Sequence, residues 1–210
     1  MEERTIYFLF TDTGTYLSKV INYVTKQSLN HVSLAFDPEL QQVYSFGRKN
    51  PHNPFIGGFV KEDIRSNFLR NAACAIYAFN VTEKDVKLIK ERIAEIELKK
   101  GNYKYNFIGL IGVLLQIEIN RSNALFCSQF VATVLNDVEA LKFKKPICFT
   151  TPADIRSHRG MQLVYTGTLG TYHSVIQEER NVQLLTVENT VPKQSFIFGL
   201  SQKVKNFVIR

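Results

Sequence analysis

Three cysteines and four histidines carry most of the chemistry this chain could do near neutral pH. Cys127 lies in NALFCSQFVATVLNDV (Asn123–Val138), where an apolar lead-in, Leu125 and Phe126, turns into an amphipathic helix. Phe130, Val131, Val134, Leu135 and Val138 recur at spacings of three and four, which gives one apolar stripe. A cysteine in the first turn of such a helix faces unpaired backbone N–H groups and the positive end of the helix dipole. Both stabilise a thiolate, the form that attacks a carbonyl. The plain alternative is a small buried apolar residue. A thiolate nucleophile also needs a base that takes its proton and later protonates the leaving group, and imidazole suits both tasks. His31 opens the strand-like run HVSLAF, where a sheet would hold it against a packed helix. His52, His158 and His173 fall in loops or at element ends, where a solvated histidine is the default. Cys74 and Cys148 make no metal-ligand spacing and no phosphate-binding glycine motif occurs, so neither a metal nor a cofactor is expected.

The surrounding elements follow from pattern. TIYFLF (Thr5–Phe10) reads as a buried strand, followed by a Thr-Asp-Thr-Gly turn. A helix capped by Thr13 or Thr15 then runs to about Lys26, with Tyr16, Val20, Tyr23 and Val24 on one face. Strands His31–Phe36 and Gln42–Phe46 flank an Asp-Pro-Glu-Leu turn. Gly47–Gly58, rich in Gly, Pro and Asn, reads as a long exposed loop. A strand over Ala73–Phe79 precedes a helix that starts at a Thr82/Asp85 capping box and buries Val86, Ile89, Ile93 and Ile96. Tyr103–Ile119 is expected to be a buried helix, Cys148–Asp154 a loop and Gln162–Tyr165 a short strand. Gln183–Val187 and Phe196–Leu200 are weaker strand candidates.

The whole chain of 210 residues suits a single domain, with a core at about 5–170 and a basic C-terminal extension at about 177–210. Its 45% hydrophobic content is that of a soluble globular protein. The charge of +7 does not come from Thr82–Lys100, where six basic residues meet five acidic ones. Much of it lies in Leu141–Gly160 and in Lys193–Arg210, which contains no acid. A solvated basic surface accounts for this, and an anionic partner for the tail is the sharper alternative. No nucleic-acid motif is present. The apolar run in MEERTIYFLF is too short for a signal peptide, and GLIGVLLQIEI (Gly109–Ile119) is too short for a membrane span. A cytoplasmic protein without a transmembrane segment is expected.

HVSLAF from His31, YSFGRK from Tyr44 and FCSQFVA from Phe126 together resemble the permuted papain-fold cysteine hydrolases. That group includes the YiiX-like amidohydrolases and is similar in layout to the lecithin retinol acyltransferase family. The early Thr-Asp-Thr-Gly turn and Thr151-Pro-Ala-Asp extend the likeness over most of residues 5–170. The resemblance implies an α+β fold, with a small antiparallel sheet or half-barrel packed on the nucleophile-bearing helix. It makes Cys127 the nucleophile and His31 the general base. The third polar residue, on the strand after the histidine, would be Ser45, where many relatives have histidine or glutamate. A serine orients an imidazole but cannot stabilise the imidazolium as a carboxylate does.

The backbone N–H of Cys127 would form half of an oxyanion hole, with a hydroxyl from Tyr105 or Tyr7 as candidates for the rest. Arg48 and Lys49 would meet an anionic substrate or only solvent. The expected activity is cleavage of an amide, isopeptide or (thio)ester bond of a peptide, amide or acyl substrate through an acyl-cysteine. The alternatives are lipid acyl transfer by the same dyad and a catalytically silent papain-like module that binds a protein or anionic partner. A weaker third is a membrane-peripheral protein using Gly109–Ile119.

Overall fold

A computed structural model describes residues 2–12, 14, 19, 22–23, 26–50, 53–101, 104–105 and 124–177, with the backbone alone at 48–50, 53–56, 104–105 and 124. Met1–Tyr172 form one compact unit and His173–Arg210 a second; all the elements named here belong to the first. The molecule is mixed α and β, built on an open antiparallel sheet of six strands in the order β4-β3-β2-β1-β5-β8. These are β1 (Glu3–Asp12), β2 (His31–Ala35), β3 (Val43–Asn50), β4 (Asn53–Glu62), β5 (Ala73–Thr82) and β8 (Gln162–Thr168). The helices are α1 (Asn67–Arg70), α2 (Glu83–Leu98), α3 (Cys127–Val134) and α4 (Pro152–Arg156). Two short strands, β6 (Lys104–Tyr105) and β7 (Ala124–Leu125), pair in parallel just before α3.

Strand alternation divides the sheet into two faces. Ile6, Phe8, Phe10, Val32, Leu34, Phe46 and Phe59 join Ile89, Ile93 and Ile96 of α2 and Phe130, Val131 and Val134 of α3 in one core cluster. Phe130 is fully buried, with the rings of Phe46 and Phe59 at 5.6 and 5.9 Å. Phe130→Ala should therefore cost about 3–5 kcal/mol of stability, read as a fall in the denaturant midpoint. Phe130→Leu should recover most of it. The opposite face is buried as well, at Leu9, Ala35, Val43 and Ile76, but it also carries polar residues: Thr11, Ser33 and Ser45.

Several expectations change. Of Gly47–Gly58, residues 47–50 and 53–58 are not loop but belong to β3 and β4, in register from Val43↔Glu62 to Gly47↔Gly58 and on to Arg48↔Gly57. Phe46, Phe59 and Val60 supply the strand-forming side chains that the Gly, Pro and Asn content obscured. Thr151–Asp154 is a capped helix start rather than a loop: Thr151 Oγ1 accepts the Asp154 N–H, and the Asp154 carboxylate accepts the Thr151 N–H at 2.9 Å. The expected helix at Tyr103–Ile119 lies outside the described residues except at Lys104–Tyr105, which are strand. Of the helix expected to reach Lys26, Lys19, Asn22 and Tyr23 are described and helical; Tyr23 is exposed rather than core-facing. Gln183–Val187 and Phe196–Leu200 lie outside the described residues. The Thr82/Asp85 box does cap α2 reciprocally.

Candidate active site

Cys127 is the first residue of α3, and Phe126 ahead of it is extended. The helix is aimed by its buried stripe, because Phe130, Val131 and Val134 seat it on the sheet. Its first turn is thereby fixed at the end of β2, where His31 opens the strand. The Cys127 sulfur is near enough to the His31 imidazole to favour its charged form. Cys127 Sγ also donates to the Asn30 carbonyl at 3.8 Å.

The imidazole has a second partner that the sequence did not point to. His31 Nε2 meets Glu62 Oε1 at 2.5 Å, and the two side chains are only 24% and 12% exposed. Glu62 ends β4, opposite Val43, and β3 separates it from β2. Its side chain crosses that strand on the face shared by His31, Ser33 and Ser45. There Ser33 Oγ donates to Glu62 Oε2 at 2.7 Å. Each carboxylate oxygen thus has its own donor. With Nε2 paired to Glu62, Nδ1 is the ring's other position for carrying a proton.

Electrostatics follow from this geometry. Burial disfavours the imidazolium, but the Glu62 carboxylate and the Cys127 sulfur outweigh it and raise the His31 pKa well above its ordinary value. Burial likewise opposes the Glu62 carboxylate, and His31 and the Ser33 hydroxyl overcome it, holding its pKa below the usual range. Each charge thus favours the other. By contrast, burial pushes the Cys74 thiol up to about 11, which leaves it a poor nucleophile.

The other expected site residues fall as follows. Ser45 is fully buried and lies 3.4 Å from His31 Nε2, but its hydroxyl donates to the Val32 carbonyl at 2.8 Å. Tyr7 pairs with Ala35 while Thr11 pairs with His31, so Tyr7 sits four residues along the strand, about 13 Å away at a strand's usual rise. Its hydroxyl answers instead to burial and to Glu39 and Asp37, which raise its pKa. The Tyr105 backbone pairs with Leu125, two residues before Cys127. Arg48 and Lys49 belong to β3, where only their backbone is described. His52 lies outside the described residues, and His158 packs between the rings of Phe79 and Phe143. Gly47 borders the pair, since a Cβ there would lie 3.5 Å from the imidazole and 3.7 Å from the Glu62 carboxylate.

Set against protein-family models, characterised proteins and solved structures, the chain matches none. The site must be read from its own chemistry. Among the described residues no cluster of three or more His, Cys, Asp or Glu side chains could hold a metal ion. Among them, too, no helix is long and apolar enough to cross a membrane. What the site offers is a thiol at a helix N-terminus, an imidazole beside it and a carboxylate behind the imidazole.

Proposed function

We propose that the protein is a cysteine-dependent hydrolase of the amidase or peptidase type with a permuted papain-like arrangement, cleaving an amide, isopeptide or (thio)ester bond. The observation that carries this reading is the half-buried His31–Glu62 pair beside the Cys127 thiol. Proton transfer from Cys127 to His31 gives a thiolate–imidazolium pair, with Glu62 stabilising the cation. The sulfur attacks the carbonyl carbon, a C–S bond forms, and the oxygen gains negative charge. The helix-terminal N–H of Cys127 is one donor for that oxyanion. As the intermediate collapses, the C–N or C–O bond breaks and His31 gives its proton to the leaving group. Water then attacks the acyl-cysteine, His31 accepts its proton, and the C–S bond breaks to release the acid and restore the thiolate.

Glu62 also bears on the silent-module alternative. That alternative drew its force from a serine as third residue, and a carboxylate on Nε2 supplies what serine lacks. Acyl transfer differs from hydrolysis only in the acceptor and shares the acylation half-reaction.

The test is covalent labelling of the intact protein with a panel of acyl and amide probes, read by mass spectrometry. Stoichiometric acylation at Cys127 near neutral pH, absent in Cys127→Ala, is expected. Labelling of Cys127 no faster than of half-buried Cys148 would sink the catalytic reading and leave the binding module in its place.

A further inference from the structure

The turn before His31 is built with unusual care. Lys26 and Leu29 both adopt positive φ, 52° and 59°, a conformation that non-glycine residues rarely hold without support. The support is visible on three sides. Asn30 Nδ2 donates to the Gln27 carbonyl at 2.7 Å and to Asn22 Oδ1 at 2.5 Å. Asn22 Nδ2 in turn donates to Asp12 Oδ2 at 2.7 Å, and Asp12 Oδ1 accepts the Gly14 N–H at 2.9 Å. From α4, Arg156 donates to the Ser28 carbonyl at 3.3 Å and to Gln27 Oε1 at 3.4 Å. The residue so held, Asn30, presents its own carbonyl to Cys127 Sγ and leads directly into His31.

Resting on the hydrolase reading, we infer that Asp12, Asn22 and Asn30 form a positioning relay for the nucleophile. Asp12, at the end of β1, orients Asn22; Asn22 clamps Asn30; and Asn30 fixes the backbone that sets the distance between the imidazole and the sulfur. None of the three touches the reacting carbonyl. Two consequences of releasing the clamp oppose each other. Losing the Asn30 carbonyl as an acceptor would favour the thiolate, whereas loosening His31 would remove the cation that stabilises it. The sulfur–carbonyl contact is long and a thiol is a weak donor, so the loss at His31 dominates.

The direction of each hydrogen bond provides the test. Asp12 accepts from Asn22, and Asn22 accepts from Asn30. Asn22→Asp puts two carboxylates together and removes the donor to Asp12. Adding Asp12→Asn reverses the charge pattern and restores these three bonds: the new amide donates to the new carboxylate, still accepts the Gly14 N–H, and the second carboxylate oxygen accepts from Asn30. The measurement is the rate of Cys127 alkylation by iodoacetamide on the full chain from pH 5 to 9, resolved from Cys74 and Cys148 by mass spectrometry.

Asn22→Asp and the milder Asn22→Ser should each slow alkylation near pH 6 by about tenfold, the scale of a small misplacement, and converge on wild type near pH 9. The Asp12→Asn/Asn22→Asp double variant should return to within about threefold of wild type. A residue with a merely structural role would lower thermal stability without moving the pH profile. An activated wild-type Cys127 whose profile is unchanged in both single variants overturns the relay and leaves the hydrolase reading intact. So does a double variant with wild-type thermal stability that fails to recover. Wild-type Cys127 that alkylates no faster than Cys148 overturns both.

Discussion

Acylation of Cys127 by an unactivated amide probe at neutral pH is expected to fall by about 10³-fold or more in His31→Ala, within the range of a lost general acid–base group. Two contributions disappear together. The base that takes the thiol proton is gone, so less of the attacking thiolate is generated. The proton that the departing amine requires is also lost. The second contribution can be separated from the first by the choice of probe. An ester with a good leaving group departs without a proton, so the penalty on a nitrophenyl ester should be at least about tenfold smaller than that on the amide. His31→Ala also leaves Glu62, 12% exposed, with the Ser33 hydroxyl as its remaining side-chain donor among the described residues, and the charge it carries there loses its counter-ion. His31→Gln can still donate to Glu62 and should restore stability without restoring amide cleavage. Equal penalties on both probes would mean that His31 assists ionisation alone. No penalty on either would remove it from the chemistry.

The parts of this site that the sequence exposed are those whose signal is local. Cys127 stands out because the helix it opens writes its apolar stripe in the residues that follow, at spacings a solvent-exposed segment would not keep. His31 stands out because it begins a run of alternating strand residues. The Thr82 cap of α2 is equally local. Glu62 is different. Its partners, Ser33 and His31, lie 29 and 31 residues earlier, and only the β2–β3–β4 register brings them together. The hairpin that sets this register runs through glycines and prolines, which suggest a loop when each residue is weighed alone. Phe59-Val60-Lys61-Glu62 nevertheless alternates: Phe59 joins the main core cluster and Val60 shares the Glu62 face. Once that segment is a strand, a glutamate at its end falls beside the histidine.

The same reasoning explains why Ser45 was the natural choice for the third residue. It occupies the strand that follows His31, on the same face and 3.4 Å from Nε2. What the spacing could not convey is that its hydroxyl is taken by the Val32 carbonyl. Asn22 and Asn30 carry no local signal for a related reason, since only the fold brings their amides into line with Asp12. The α4 start at Thr151 is a different case. The Thr-Pro-Ala-Asp spacing already contains both a capping box and a proline in the first turn.

Glu62→Gln should lower kcat/KM at neutral pH by about 10²-fold while leaving the protein folded, because glutamine keeps the shape and an acceptor for Nε2 but removes the charge. Its pH dependence is the sharper readout. In the wild type the imidazolium persists to a pH well above the ordinary histidine value of 6.5. Without the carboxylate, His31 loses its proton at lower pH, which brings the alkaline limb down. The activity bell narrows from its alkaline side. Stability follows the same groups. The His31 contribution is fully present below the unfolded value near 6.5 and is lost as pH rises through its raised folded value. The Glu62 contribution is fully present above the unfolded value near 4.5 and is lost as pH falls through its depressed folded value. Wild-type stability should therefore be flat between those two ordinary values and decline outside them, and Glu62→Gln should flatten both declines. Ser45→Ala is the matched comparison. Its hydroxyl serves Val32, so it should cost about a kcal/mol of stability and leave the pH limits of activity in place. If instead Ser45→Ala narrows the bell and Glu62→Gln does not, the serine orients the imidazole and the carboxylate is a structural partner only.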